Sequence, residues 1–493
     1  MRSKLYPSRY SIQAILLVTI LALGAAGRQE ERSTALNQLT TTAEQDYLLG
    51  ELARVQPPER LRELADYGQR QLELGGGFYG MMPDQLADPD SIPVPSDSEG
   101  RLEAALCLAR QRKVNLEALK QLNPDYPLSF GGQSLTVFLD RIPTARPAVD
   151  ESPPRICLHL DTSALNGFFT ALSDGEISAE EANALAALPS SQAMLQHRRE
   201  LGYVPEPLPD SESLAAMISM AGSTDPLDRL WCWINSQNAF AYADLIQNAG
   251  GYRRFLSDLE SHGDSLSDAA LQRITQFSPP DIEFETTFAF TVGWAIRGWA
   301  TPDMAGLNVE QVKDDWHYLL GTLIEETYHR LQLELFPTAT GVPATGFSAL
   351  VAIETGDDRY DRLYEIVTYT VAEGVANLVR GSFANVNLAE QAGAGAELMA
   401  RFVNQVLEKG DLASADALIN EGLKGNGPLY GLGWKLAGVI AERDGNQAIG
   451  EYQQQGPVFF FLHGAKVSRE SGEPLLSPEV VTAVNNLADH LAR

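Results

Sequence analysis

The stretch from Val312 to Leu331 constrains the fold more than any other part of the chain. Val312, Trp316, Leu319, Leu320, Leu323 and Leu331 recur at three- and four-residue steps, which predicts a helix with one buried stripe. Set into that helix is the run Glu325-Glu326-Thr327-Tyr328-His329. At ~100° per residue, Glu325 and His329 fall opposite the stripe and within ~40° of each other, so the pair can clasp one ion. Glu326 is turned by ~100° from Glu325, which suits a base beside a metal better than a ligand.

Two flanking segments extend the pattern. In DRLYEIVTYTVAEGVANLVRG, Leu363, Val367, Val371, Val375 and Leu378 make a core stripe while Glu373 and Asn377 face the other way. An acid leaving the polar side of such a helix needs a partner if it is buried, and a metal would be one. Upstream, Ile282, Phe284, Phe288, Phe290, Val292, Trp294 and Ile296 alternate with Glu283, Glu285, Thr287 and Arg297. That period of two predicts a strand over 282–296 with one buried face, immediately before the helix.

The chain has 493 residues, 44% of them hydrophobic, enough for two or three domains with real cores. Its 65 acids against 37 bases leave a formal charge of −28. Nucleic acid is therefore excluded as a partner, because phosphate neutralisation needs clustered Lys and Arg. Residues 1–27 read as an export signal: Arg2, Lys4 and Arg9, then an uncharged run from Tyr10 to Gly27 ending in small residues. The run approaches the ~18 residues that can span a bilayer, so a cleaved signal and an uncleaved anchor are both open. The expected location is periplasmic or secreted, with a membrane as partner only if the segment is retained. Cys107, Cys157 and Cys232 are odd in number, fit no zinc ribbon and are expected as buried thiols.

Residues 28–154 are expected to form an N-terminal helical region. Within it, residues 101–139 resemble a degenerate LysM-like unit, with VNLEALKQLNP as the second helix and GGQSLTVF as the last strand. The opening strand is not evident, so a plain helical packing unit is the other reading; the LysM resemblance implies cell-wall glycan as a partner. The Pro-rich joint RIPTARPAVDESPP ends near Pro154 and marks a domain boundary. Beyond it, residues 155–493 read as one unit, opening with a strand that runs into a helix capped near Asp161 or Thr162. Residues 165–275 are expected to be mostly helical, with His197 and His262 on the surface.

From about Ile156 to the C-terminus the chain resembles the gluzincin-like zinc-dependent peptidases, a group largely known as a domain of unknown function. The resemblance is carried by CLHLDTSA, FAFTVGWAIRG, LNVEQVKDDWHYLLGTLIEETYHRLQ, YTVAEGVANLV and GNGPLYGLGWKLAGVIAERDGNQAIGEYQQQGPVFFF. In such families H-E-x-x-H supplies two ligands and a base, and a glutamate on a later helix supplies the third ligand. The resemblance implies His329 as second ligand, Glu326 as base, Glu373 as third ligand, zinc as the ion and a polypeptide as substrate. Glu325 stands in the first-ligand position and departs from the pattern.

The departure has two readings. In one, Glu325 still ligates, giving a Glu, Glu, His set with an open position, although two anionic ligands leave the metal less electron-poor. In the other, the metal is lost and the fold persists as an inactive, peptidase-derived binding protein of the cell envelope. Asn377 favours retention: thermolysin-type zincins carry E-x-x-x-D, whose aspartate would repel Glu325, whereas the Asn377 amide can donate to it. Tyr430 and His463 are candidates to polarise a carbonyl oxygen, although each reads more readily as a packed core residue. His317 lies ~120° around the helix from His329 and is expected to be structural or exposed. The repeated acid-x-x-His spacing at Asp314 and His317 sits on the same helix as Glu326 and His329, which excludes a di-iron bundle. The expected fold is α+β and mainly helical: a zincin-like domain with a small sheet beside its active-site helix, preceded by a small helical N-terminal region. The expected function is a metal-dependent (zinc) peptidase acting outside the cytoplasm.

Overall fold

A computed structural model describes residues 130–131, 134–142 and 155–492, apart from stretches at 201–210, 223–241, 294–297, 338–349 and 384–387 and a few isolated positions. The expected export signal, most of the LysM-like unit, Cys107 and Cys232 lie outside the described residues. Among the described residues no helix is long and apolar enough to cross a membrane.

The predicted alternation forms β2 (Glu283–Thr291), which buries Phe284, Phe288 and Phe290 and turns Glu283 and Glu285 outward. It ends at Thr291, short of the expected Ile296, and Gly293 then turns the chain at φ 106°; residues 294–297 are among those not described. On one side β2 pairs in parallel with β1 (Arg155–Asp161), with Ile156 opposite Phe284 and Leu160 opposite Phe288. On the other it pairs in parallel with β4 (Met304–Asn308), and β3 (Gly298–Ala300) closes the edge antiparallel to β4. The sheet is thus four-stranded and mixed, in the order β1-β2-β4-β3, within a mainly helical protein.

Helices account for the rest. α1 (Leu135–Leu139) precedes β1, and α2 (Ser163–Leu172), α3 (Ala179–Ala186), α4 (Pro189–Glu200), α5 (Ser211–Ala221) and α6 (Ala249–Ile274) lie between β1 and β2. After the sheet come α7 (Trp316–Leu335), α8 (Asp358–Arg380), α9 (Leu388–Phe402), α10 (Ala415–Leu423), α11 (Pro428–Asp444), α12 (Gln447–Gln453), α13 (Pro457–Glu470) and α14 (Pro478–Leu491). Thr162 is the N-cap residue of α2, and the Ser163 amide donates to Asp161 at 2.8 Å.

Several expectations change. Residues 135–139, read as the last strand of a LysM-like unit, are helical, because Ser134 caps the segment by accepting from the Val137 amide. This helix buries Leu135 and Phe138 and packs on α6, so residues 130–142 dock onto the body that follows Pro154. Cys157 is exposed, not buried: along β1 the inward positions are Ile156 and Leu158, and the pleat turns Cys157 out. His197 and His262 are half-buried rather than surface residues, held against Ala300 O at 3.1 Å and Thr136 Oγ1 at 3.0 Å. The central helix α7 begins at Trp316, capped by Asp315, while Val312 sits in the preceding turn beside Lys313 with φ 47°.

Two close approaches set the position of the later helices. Trp316 at the start of α7 stacks on Phe255 of α6 with centroids 5.0 Å apart, tying the helix to the layer that covers the sheet. α8 crosses α11 at Gly374 and Gly433, where a Cβ on Gly374 would lie 2.1 Å from the Gly433 carbonyl carbon and one on Gly433 would lie 1.8 Å from Thr370 O. The crossing brings Glu373 on α8 next to Tyr430 on α11. Gly374→Ala is therefore expected to force the helices apart and cost about 1–3 kcal/mol or more of stability, read as a lower denaturation midpoint.

Candidate metal centre

α7 is buried nearly all round, so its polar residues lie inside the protein and must find partners there. Glu325, His329 and Glu373 meet: one ligand atom from each lies within 4.8 Å of the others, and all three residues are buried or half-buried. Such a group could hold a metal ion. The approach follows from helical spacing on α7 and from the α7–α8 contact, which faces Glu373 toward the same point.

His329 is the most tightly specified of the three. Its Nδ1 lies 2.8 Å from Gln332 Oε1. The Gln332 amide nitrogen donates to Ala372 O at 3.1 Å and to Gln453 Oε1 at 2.9 Å. A backbone carbonyl only accepts, so Gln332 is pinned with its oxygen toward the imidazole and Nδ1 must carry the proton. Gln453 is pinned likewise, donating to Tyr328 Oη at 2.7 Å and to Ile449 O, while Tyr328 donates to Phe277 O. The chain of bonds leaves Nε2 facing Glu373 Oε2 at 3.5 Å.

Glu325 is held differently. Asn377 Nδ2 donates to Oε1 at 3.0 Å, and Arg380 Nη1 donates to Oε2 at 2.6 Å in an ion pair that is almost wholly buried. The Asn377 contact is the donation that the amide in place of an aspartate makes available. Arg380 was not singled out from the sequence, yet a signal for it exists. Residues 373, 377 and 380 are spaced four and three apart on α8 and so share one helix face.

Glu326 points elsewhere, toward the sheet. Its carboxyl packs on Gly298 of the edge strand β3, so closely that a Cβ there would meet Oε1 at 2.2 Å. Burial pushes this carboxyl up to about 8; His329 and Arg380 oppose the rise, and Glu325 and Glu373 add to it. Burial alone would lower the His329 imidazole, but Glu373, Glu326 and Glu325 together push it up to about 10. Tyr430 is hydrogen-bonded to Glu373, and burial, then Glu373 and Glu325, hold its phenol well above the usual value. It is therefore an O–H donor throughout the neutral range.

The other histidines stand apart. His463 is bound to Asp444 at 3.0 Å beside Arg443 and Tyr452, and His317 is exposed with its ring 4.9 Å from Phe383.

The donor set fits a divalent cation. The 3.5 Å between His329 Nε2 and Glu373 Oε2 is close to the ~3.3 Å between two donors on a tetrahedral zinc with bonds of ~2.0–2.1 Å. Each carboxylate oxygen has two lone pairs, so the bonds to Asn377 and Arg380 leave Glu325 able to ligate. Asn377 Oδ1 is in addition a buried acceptor without a hydrogen-bond partner.

Both raised groups make the metal-free protein less stable in alkali. Between pH 4.5 and about 8 the folded chain keeps a proton on Glu326 that the unfolded chain has released; between 6.5 and about 10 the same holds for His329. The unfolded state binds fewer protons in each window, so unfolding free energy falls as pH rises through them. The favourable His329 contribution is complete below pH 6.5 and gone above about 10. Denaturation of chelator-treated protein from pH 5 to 10 is expected to show this decline, with Glu326→Gln flattening the lower part and Glu373→Gln the upper. No family model matches the chain, and no curated protein or solved structure shows significant similarity to it, so the reading of this centre rests on its own geometry.

Proposed function

We propose that the chain is a zincin-like, metal-dependent peptidase acting outside the cytoplasm, with zinc held by Glu325, His329 and Glu373. The observation that carries the reading is the convergence of these three side chains beside an acid of the same helix, Glu326, whose carboxyl packs against the edge strand and not among the three. When bound, the metal would supply Lewis acidity to a carbonyl and to the attacking water.

The chain's own residues take the remaining tasks. Gln332 fixes the His329 tautomer, so that Nε2 is the nitrogen turned toward Glu373 and toward a metal held there. Glu326, between the cluster and β3, is placed to exchange a proton with water or the leaving amine of a polypeptide lying along that strand. Tyr430, a neutral phenol whose single O–H now meets Glu373, would turn that donor to a carbonyl oxygen as charge develops on it.

A second reading is favoured by the Glu325–Arg380 pair. With Arg380 against Glu325 and a protonated His329 against Glu373, the two carboxylates are balanced without a metal. That arrangement suits a non-catalytic, peptidase-derived binding protein.

Equilibrium dialysis against zinc and a peptide-hydrolysis assay separate the two readings. The parent is expected to retain stoichiometric zinc, and His329→Ala and Glu373→Ala to lose it. Glu326→Gln should keep zinc while hydrolysis falls by about 10²–10⁴. Zinc held equally well by His329→Ala would sink the metal centre; no zinc and no hydrolysis in the parent would leave the binding protein.

A further inference from the structure

Arg380 reaches Glu325 through a built channel. Gly321, one helical turn before Glu325, is where a Cβ would lie 2.8 Å from Arg380 Nε and 2.9 Å from Phe383 Cβ, so only glycine lets the guanidinium pass. The side chain then donates through Nε to Phe383 O at 3.2 Å and lies over the Tyr318 ring at 5.2 Å. Its charged end, 4% exposed, meets Glu325 Oε2. Gly381, at φ 65°, ends α8 directly after it and fixes where the arginine leaves the helix. A guanidinium so enclosed is not an incidental surface partner.

The pairing has a consequence for the altered first ligand. A ligand set of two neutral imidazoles and one carboxylate carries a single negative charge, whereas Glu325, His329 and Glu373 alone carry two. Adding Arg380 returns the total to one. We propose that Arg380 is a positioning residue that makes the Glu325–Arg380 pair act toward the metal as one neutral donor, so that the substitution of glutamate for histidine leaves the charge of the centre unchanged. The inference rests on the metal reading above, and it reverses the expectation that two anionic ligands leave the metal less electron-poor.

The pair makes opposite predictions for affinity and for chemistry. Arg380→Gln removes the charge while keeping an amide donor for Glu325 or Phe383 O. A unit charge a few ångströms from the ion is worth about tenfold or more in a constant even at the effective dielectric near a protein surface. Zinc affinity, measured by competition with a chromogenic chelator, is therefore expected to rise about tenfold or more in Arg380→Gln, while peptide hydrolysis falls. Glu325→Gln should move affinity the other way, and Glu325→Gln with Arg380→Gln should lie between the two single variants, because the opposed charge changes offset each other. Arg380→Lys, which keeps the charge, should stay near the parent.

Four outcomes overturn the proposal. Zinc affinity in folded Arg380→Gln equal to or below that of the parent removes charge compensation and leaves the metal centre standing. Zinc bound by neither the parent nor Arg380→Gln removes the centre and the inference together. A gain in Arg380→Gln that survives the addition of His329→Ala places the ion elsewhere. Should Arg380→Gln fold only when zinc is supplied, monitored by far-UV circular dichroism, the ion is replacing the lost cation, as proposed; failure to fold with and without zinc rejects it.

Discussion

A carboxylate in the middle of a helix buried nearly all round is the constraint on which the centre depends. Glu325 is buried, and an unpaired buried charge costs several kcal/mol. Asn377 and Arg380 meet that demand from the same face of the neighbouring helix α8. The arrangement of α7 against α8 is thus coupled to the chemistry of one side chain. Breaking such a pair from either side is expected to cost about 3–5 kcal/mol, more than most single core truncations to a smaller apolar residue.

The remaining polar groups of α7 are satisfied in the same inward manner. His329, Gln332, Gln453, Tyr328 and Phe277 O form a continuous line of directed bonds that begins at His329 Nδ1, across the ring from the nitrogen that faces Glu373, and ends on backbone. Because backbone carbonyls anchor each amide, the direction of every donor along the line is settled, and with it the tautomer at the centre. Fully satisfied networks of this kind rigidify a core and hold a functional atom in one place. Glycine contributes by removing bulk where side chains must pass: Gly298 under Glu326, Gly321 beside Arg380, and Gly374 against Gly433 where α8 and α11 cross.

Glu326 and Tyr430 are separated from the ligands by direction more than by distance. One leaves α7 toward the edge strand, and the other approaches Glu373 from α11. Different elements back the two groups: β3 lies behind Glu326 and the α8–α11 crossing behind Tyr430.

Much of this was legible before any coordinates. Helical period alone put Glu325 and His329 on one side of α7 and Glu373 and Asn377 on one side of α8, because side-chain direction repeats every three to four residues whatever surrounds the helix. The alternation of β2 and the existence of a small sheet beside a long helix were likewise local properties. What periodicity left undecided was the environment: the side opposite the stripe is covered by α8, which brings the polar face of the helix into the interior. Cys157 and the segment at 135–139 were misread for related reasons. The pleat's phase and one capping serine decide them, and composition does not. Tertiary structure alone decided the partners of long reach. Gln332 and Gln453 stand 121 positions apart with nothing local to signal their contact, and Arg380, 55 positions from Glu325, shares a face with Glu373 and Asn377 but learns its partner only from the packing of α7 on α8. A guanidinium or an amide finds its acceptor only where helix crossings and missing β-carbons leave it a path.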